Sequence, residues 1–266
     1  MSPAPLLSLL LALPMGQPAP GPTPPLGTGH EQTADEVPSA APPWPDPRGQ
    51  YRMDLNLTTI AQVPVIGRTV IQTNSIYTVT IEGSHEAPVQ VQRICSLNPN
   101  ASRSIAKTKI PKLFIENIAP KRFPLELKPS GKGFAVRGDM LPLAIGFDRT
   151  KMGDSYPKKK DHPSITDHER DGHPGATVHL QAPLFGQVEI YMVQHARTVI
   201  TGTWDGGPVI KGNATVNDFY QRTIGASNRL FIANPKITTV PESSQFTLTR
   251  VPAGTTCEQL IAGVGA

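Results

Sequence analysis

The chain has 266 residues, a formal net charge of +4 and 17% charged residues. Its basic residues are scattered apart from Lys158-Lys159-Lys160, and no basic stripe is interleaved with aromatics, so a nucleic-acid partner is excluded as the organising theme. Two cysteines, far apart in the chain, exclude a Cys-x-x-Cys redox or zinc motif.

The chain opens with a short apolar run, Leu6-Leu7-Ser8-Leu9-Leu10-Leu11-Ala12-Leu13. It is too short to span a bilayer as a helix and suits the core of a secretory signal over residues 1–19, with cleavage near Gly16 or Ala19. The alternative is a disordered apolar N-terminus. Residues 20–49 are dense in proline, which fixes φ and removes backbone donors, so they read as an extended linker. Residues 50–266 are long enough to bury one core as a single domain.

From Tyr51 the pattern alternates. Tyr51, Met53, Leu55 and Leu57 stand at every second position, which predicts a half-buried strand. Pro64-Val65-Ile66-Gly67 predicts a break, and β-branched runs over 69–73 and 75–81 predict two strands with a bend at Asn74. Residues 89–95 alternate again and bring Cys95 to a strand end. Pro111 at a first-turn position, with Leu113, Phe114 and Ile118 on one face, predicts one short helix over 110–118, ended by Pro120. Leu125 and Leu127, then Phe134 and Val136, belong to two short strands. The run 141–147 is an edge strand or a lining loop, because Pro142 interrupts it.

Residues 148–175 form a polar insertion carrying Asp148, Asp154, Asp161, His162, Asp167, His168, Asp171 and His173. Loops of this length inside a compact domain are functional or disordered. Beyond it, strands are predicted over 176–181, 188–194, 197–204 and 209–216, with Asp205-Gly206-Gly207 as the clearest hairpin signal, and a last strand over 245–251. Pro183-Leu184-Phe185-Gly186 and Gly225-Ala226-Ser227-Asn228 read as turns. The fold class is therefore all-β: a single antiparallel, lipocalin-like barrel or a sandwich, with one short helix. In an exported chain Cys95 and Cys257 are expected to form a disulfide, the alternative being two buried thiols.

The insertion ends in the stretch Asp167-His168-Glu169-Arg170-Asp171-Gly172-His173-Pro174-Gly175. Acids on alternate residues followed by a glycine make the opening half of a calcium loop, with Asp167, Glu169 and Asp171 as side-chain ligands and His173 offering its carbonyl. The EF-hand's twelfth-position glutamate is replaced by Val178, so a further ligand, such as Asp161, has to come from elsewhere. His162, His168, His173 and His179 offer a zinc site as an alternative, and an empty polar turn is the third reading.

The stretch resembles the Asp-x-Asp-Gly-Asp-Gly-x-Pro-Gly loop of exported bacterial proteins, and it is similar to calcium loops of the thrombospondin type 3 and dockerin kind. More of the chain resembles an uncharacterised group of exported bacterial β-proteins, through residues 57–67, Arg93-Ile94-Cys95, Gly172-His173-Pro174-Gly175, Ile224-Gly225-Ala226-Ser227 and 246–257. The resemblance implies calcium at Asp167, Glu169 and Asp171 and no particular activity. Glu169 and Arg170 depart from the pattern.

No Gly-x-Ser-x-Gly elbow, phosphate loop or Gly-x-Gly-x-x-Gly occurs. The expected function is a non-catalytic exported β-barrel that binds a small apolar or amphipathic ligand or serves as an envelope component. The alternative is a secreted hydrolase using carboxylates or a metal in the insertion.

Overall fold

A computed structural model describes residues 45–63, 67–102, 107–182 and 185–263. The expected signal, nearly all of the proline-rich linker, the break at Pro64-Val65-Ile66 and the Pro183-Leu184 part of a turn lie outside these residues. In chain order the elements are β1 (Gly49–Val63), β2 (Gly67–Gly83), β3 (Pro88–Ala101), β4 (Lys107–Lys109), α1 (Lys112–Glu116), β5 (Lys121–Ser130), β6 (Gly133–Asp139), β7 (Leu143–Ile145), β8 (Ala176–Ala182), β9 (Gly186–Trp204), β10 (Val209–Ala226), β11 (Lys236–Thr239), β12 (Gln245–Val251) and α2 (Cys257–Ile261).

Eight of the strands close into a ring. The pairing runs β10–β12–β1–β2–β3–β5–β6–β9, and β9 returns to β10, with every pair antiparallel. Closure leaves the ring without an unpaired edge. The even spacing read from Tyr51, Met53 and Leu55 is the inward face of β1. These side chains meet Val79, Ile81, Phe123, Leu125, Val136, Ile200, Trp204, Ile210, Phe246 and Leu248 in one continuous cluster. Tyr51, Met53, Ile200 and Leu248 are fully buried there. Each large side chain so buried contributes about 1.5–3 kcal/mol of transfer free energy. The middle of the barrel is thus filled by its own side chains, so a small apolar ligand held at its centre would have to displace them.

Two strands are longer than the alternation suggests. The runs 69–73 and 75–81 are one strand, β2, because Asn74 is paired with Asn56 on one side and Asn98 on the other and does not bend the chain. The runs 188–194 and 197–204 are likewise one strand, β9. Its far half closes the barrel against β6 and β10. Its near half runs on as a platform that pairs with β8, whose other edge carries β4, while β7 adds a short pairing beside residues 194–196. A second cluster of Ile94, Phe114, Ile118, Ile145, Ala176, Val178 and Met192 packs here. The predicted helix is α1, shorter than expected, with Pro111 as its cap residue and Phe114 as its buried anchor.

The sequence reading missed α2. It covers the outer side of the barrel, where Leu260 packs with Cys95 and Val251. Cys95 and Cys257 form a disulfide with a Cα separation of 5.2 Å. Among the described residues, no helix is long and apolar enough to cross a membrane.

Candidate metal centre

The platform formed by β8 and β9 holds the polar loop. Gly146, next to β7, accepts a hydrogen bond from the Thr166 N–H at 3.1 Å. The Gly175 N–H donates to Thr166 O at 2.9 Å, and the His168 N–H donates to Gly175 O at 2.9 Å. These bonds pinch the loop shut at its base, where Asp167 and Gly175 form a parallel bridge. Gly175 takes a φ of 87°, and a Cβ there would lie 2.6 Å from Met192 O, so only glycine lets the loop sit this close to β9.

The other anchor is α1. The His168 Nε2–H donates to Phe114 O at 3.0 Å, and Asn117 Nδ2 donates to His168 O at 2.7 Å. The His168 ring meets the Phe114 ring edge-on at 5.3 Å. Burial lowers the His168 pKa, so the ring is held neutral and fastens the loop to the helix.

The acids inside the pinch point at one another. Asp167 accepts from the Asp171 N–H at 3.0 Å and the Gly172 N–H at 2.8 Å. Asp171 accepts from the His173 N–H at 2.9 Å and from the Thr177 hydroxyl at 2.7 Å. Glu169 Oε2 accepts from the Thr177 N–H at 2.9 Å, while Glu169 Oε1 is buried with no hydrogen-bond partner. One oxygen from each of Asp167, Glu169 and Asp171 lies within 4.8 Å of the others. Two oxygens bound to one calcium ion at 2.3–2.6 Å can be up to about 5 Å apart, so the three can share an ion.

The three acids perturb one another electrostatically. Glu169 is only 5% exposed. Burial, reinforced by the charges of Asp171 and Asp167 and opposed by the Thr177 N–H, pushes its carboxyl from 4.5 up to about 7. Burial would raise Asp171 too, but hydrogen bonds from Thr177 and His173 outweigh it and bring that group below the ordinary aspartate range. A divalent ion would relieve both the repulsion and the unpaired oxygen.

Glu169 and Arg170, the two departures from the calcium-loop pattern, each have a place. The longer glutamate turns inward and reaches the Thr177 backbone at the start of β8. Arg170 adopts a φ of 62° and is solvent-exposed, where its charge faces water.

The histidines are not assembled as the zinc alternative requires. Among the described residues the only group of three or more metal-binding side chains is the three acids. His162 pairs with Ser164 at 2.8 Å, and His168 is used by α1. The His173 ring stacks on Tyr191 at 4.4 Å, with its Nε2 3.6 Å from Glu189. Asp161 does not join the acids either. It lines a surface hollow with Ser155, Tyr156, Lys158, Lys159 and His162. Thr177, which supplies a backbone and a side-chain donor to two of the acids, was missed by the sequence reading. Its only signal was its position two residues past Gly175.

No protein-family model, no curated protein and no solved structure matches the chain.

Proposed function

We propose that the protein is a non-catalytic, exported β-barrel serving as an envelope component, and that calcium bound by Asp167, Glu169 and Asp171 locks its polar insertion onto the platform. The single observation that carries the calcium reading is the buried, unpartnered Glu169 Oε1 beside two further carboxylates. A buried acceptor without a partner costs about 1–3 kcal/mol, and an ion removes that cost. An all-oxygen donor set favours a hard cation over zinc. The resemblance of the loop to known calcium loops points the same way.

Export is supported by the apolar run at the start of the chain and by a disulfide, which persists in oxidising compartments. The scaffold version is favoured over a ligand carrier because the barrel centre is filled. It is favoured over a hydrolase because the hollow in the insertion, lined by Ser155, Tyr156, Lys158, Lys159, Asp161 and His162, holds one acid and none of the cluster, so it does not converge two carboxylates.

Thermal melts test this reading. A ligand at a hundredfold excess over its dissociation constant stabilises the folded state by about 2.7 kcal/mol. The melting temperature is expected to rise with calcium and fall with chelator. The rise is expected to vanish in Asp171→Ala and to persist in His173→Ala, whose ring faces Tyr191 and Glu189. A wild-type melt indifferent to calcium and chelator overturns the metal assignment.

A further inference from the structure

At the end of the platform away from the acids, two loops meet. The β8–β9 turn presents Phe185, and the link between β10 and β11 presents Leu230, Phe231 and Ile232. Phe185 and Phe231 touch edge-on with their ring centres 5.3 Å apart. Leu230 is 78% exposed, Phe185 51% and Ile232 45%. Among the described residues the other exposed large apolar side chains, Leu113, Leu141, Val209 and Ile261, are distributed over other parts of the chain. Scattered apolar residues need no explanation, whereas a cluster at a loop tip does.

The tip is built, not frayed. The Asn228 side chain accepts from the Leu230 N–H at 3.1 Å, and the Phe231 and Ile232 N–H groups close a tight helical turn at 3.0 and 3.2 Å. Asn234 clamps the far side by accepting from the Thr223 N–H at 2.8 Å and donating to Thr223 O at 3.3 Å. A turn fixed at both ends by asparagine side chains holds a leucine out in solvent. Two cations flank it, Arg229 and Lys107, while the nearby acid Glu189, bonded to Ser227, turns its carboxylate toward Tyr191 and His173. Arg229 immediately precedes Leu230, and Lys107 on β4 pairs with Gln181 near the base of the β8–β9 turn.

We propose that this tip, formed by Phe185, Leu230, Phe231 and Ile232 beside Arg229 and Lys107, docks the protein onto an anionic phospholipid surface. Apolar side chains enter the headgroup boundary while neighbouring cations meet lipid phosphates, and the two contributions add. The docking deepens the envelope reading but does not depend on the calcium loop. β8, seven residues long, separates the two regions by roughly 20 Å at ~3.3 Å per residue.

Vesicle sedimentation of the purified full chain, in chelator, tests it. The wild type is expected to pellet with vesicles of mixed phosphatidylglycerol and phosphatidylcholine and to stay in solution with phosphatidylcholine alone. Leu230→Ser with Phe185→Ser is expected to lower the bound fraction at least tenfold while the melting temperature is kept. Arg229→Gln is expected to weaken binding and its salt dependence. The docking is overturned by a wild type that pellets with neither vesicle, by a double variant that pellets as before, or by binding that appears only in a parallel run with calcium, which would place the lipid contact at the acids. A concentration-dependent dimer that Leu230→Ser abolishes also overturns it, because the tip would then be a contact between copies. Since the first sedimentation is run in chelator, its failure leaves the melt-based test of the metal site untouched.

Discussion

Reducing the Cys95–Cys257 bond, or replacing both cysteines by serine, is expected to lower the unfolding free energy by about 5 kcal/mol on the chain-entropy model. The bond joins residues 162 apart in sequence, so it removes a large set of open conformations from the unfolded chain. The Cα separation of 5.2 Å lies in the ordinary range for a disulfide. The bond also pins α2. That helix has five residues and a capping box between Thr256 and Gln259, and so short a helix is not stable alone. Its attachment depends on the bond, on the fully buried Leu260, and on Arg52 donating to Leu260 O at 2.7 Å. Urea unfolding with and without reductant measures the loss. An unchanged midpoint on reduction, or free thiol in the unreduced denatured protein, contradicts the assignment.

Replacing Glu169 by glutamine is expected to have opposite effects on the metal-free and calcium-loaded protein. The folded-state pKa of Glu169 is raised from 4.5 to about 7. Below pH 4.5 the group is protonated in both states and imposes no penalty. As the pH rises toward 7 the unfolded chain loses this proton first, and stability falls; above pH 7 the loss is complete. The loss amounts to about 3 kcal/mol at 1.36 kcal/mol per pH unit. Metal-free Glu169→Gln is therefore expected to be more stable than metal-free wild type at pH 8 and equal to it at pH 4. In calcium the order reverses, because the variant has lost a charged ligand. Denaturant titrations at several pH values, with and without calcium, read both effects. A difference between wild type and variant that does not change with pH contradicts the burial of an ionisable carboxyl there.

Much of the barrel was legible because its strands obey a simple period. Tyr51, Met53 and Leu55 alternate with Arg52, Asp54 and Asn56, and the structure buries the first set and leaves the second half-buried on the outer face. The number of strands was harder to read. Asn74 has the composition of a bend but sits inside a ladder with Asn56 and Asn98, where pairing on both sides overrides local preference. The length of β10 was also hidden. It passes through an irregularity between Asn217 and Tyr220, where Asp218 takes a φ of 49°, and local pattern does not show that the strand resumes. The helix α2 is too short to show a hydrophobic period; only Leu260 is buried along it.

The site divides in the same way. Acids at alternate positions before Gly172 are a local signal, and the structure does bring Asp167, Glu169 and Asp171 together. The groups that hold them in place come from elsewhere in the chain. Phe114 and Asn117 fix His168 from more than fifty residues away, and no spacing rule connects them. The histidines looked like a second ligand set only because they are close in sequence. His162, His168 and His173 are each directed to a different partner once the loop folds, and His179 lies on β8, paired in the ladder with Glu189.

Calorimetric titration of calcium into chelator-stripped protein tests the central claim most directly. Binding at a single site per chain is expected, absent in Asp171→Ala and weaker below pH 7, where the ion must displace the Glu169 proton. No heat of binding in the wild type at pH 8, or equal binding in Asp171→Ala, would contradict the account.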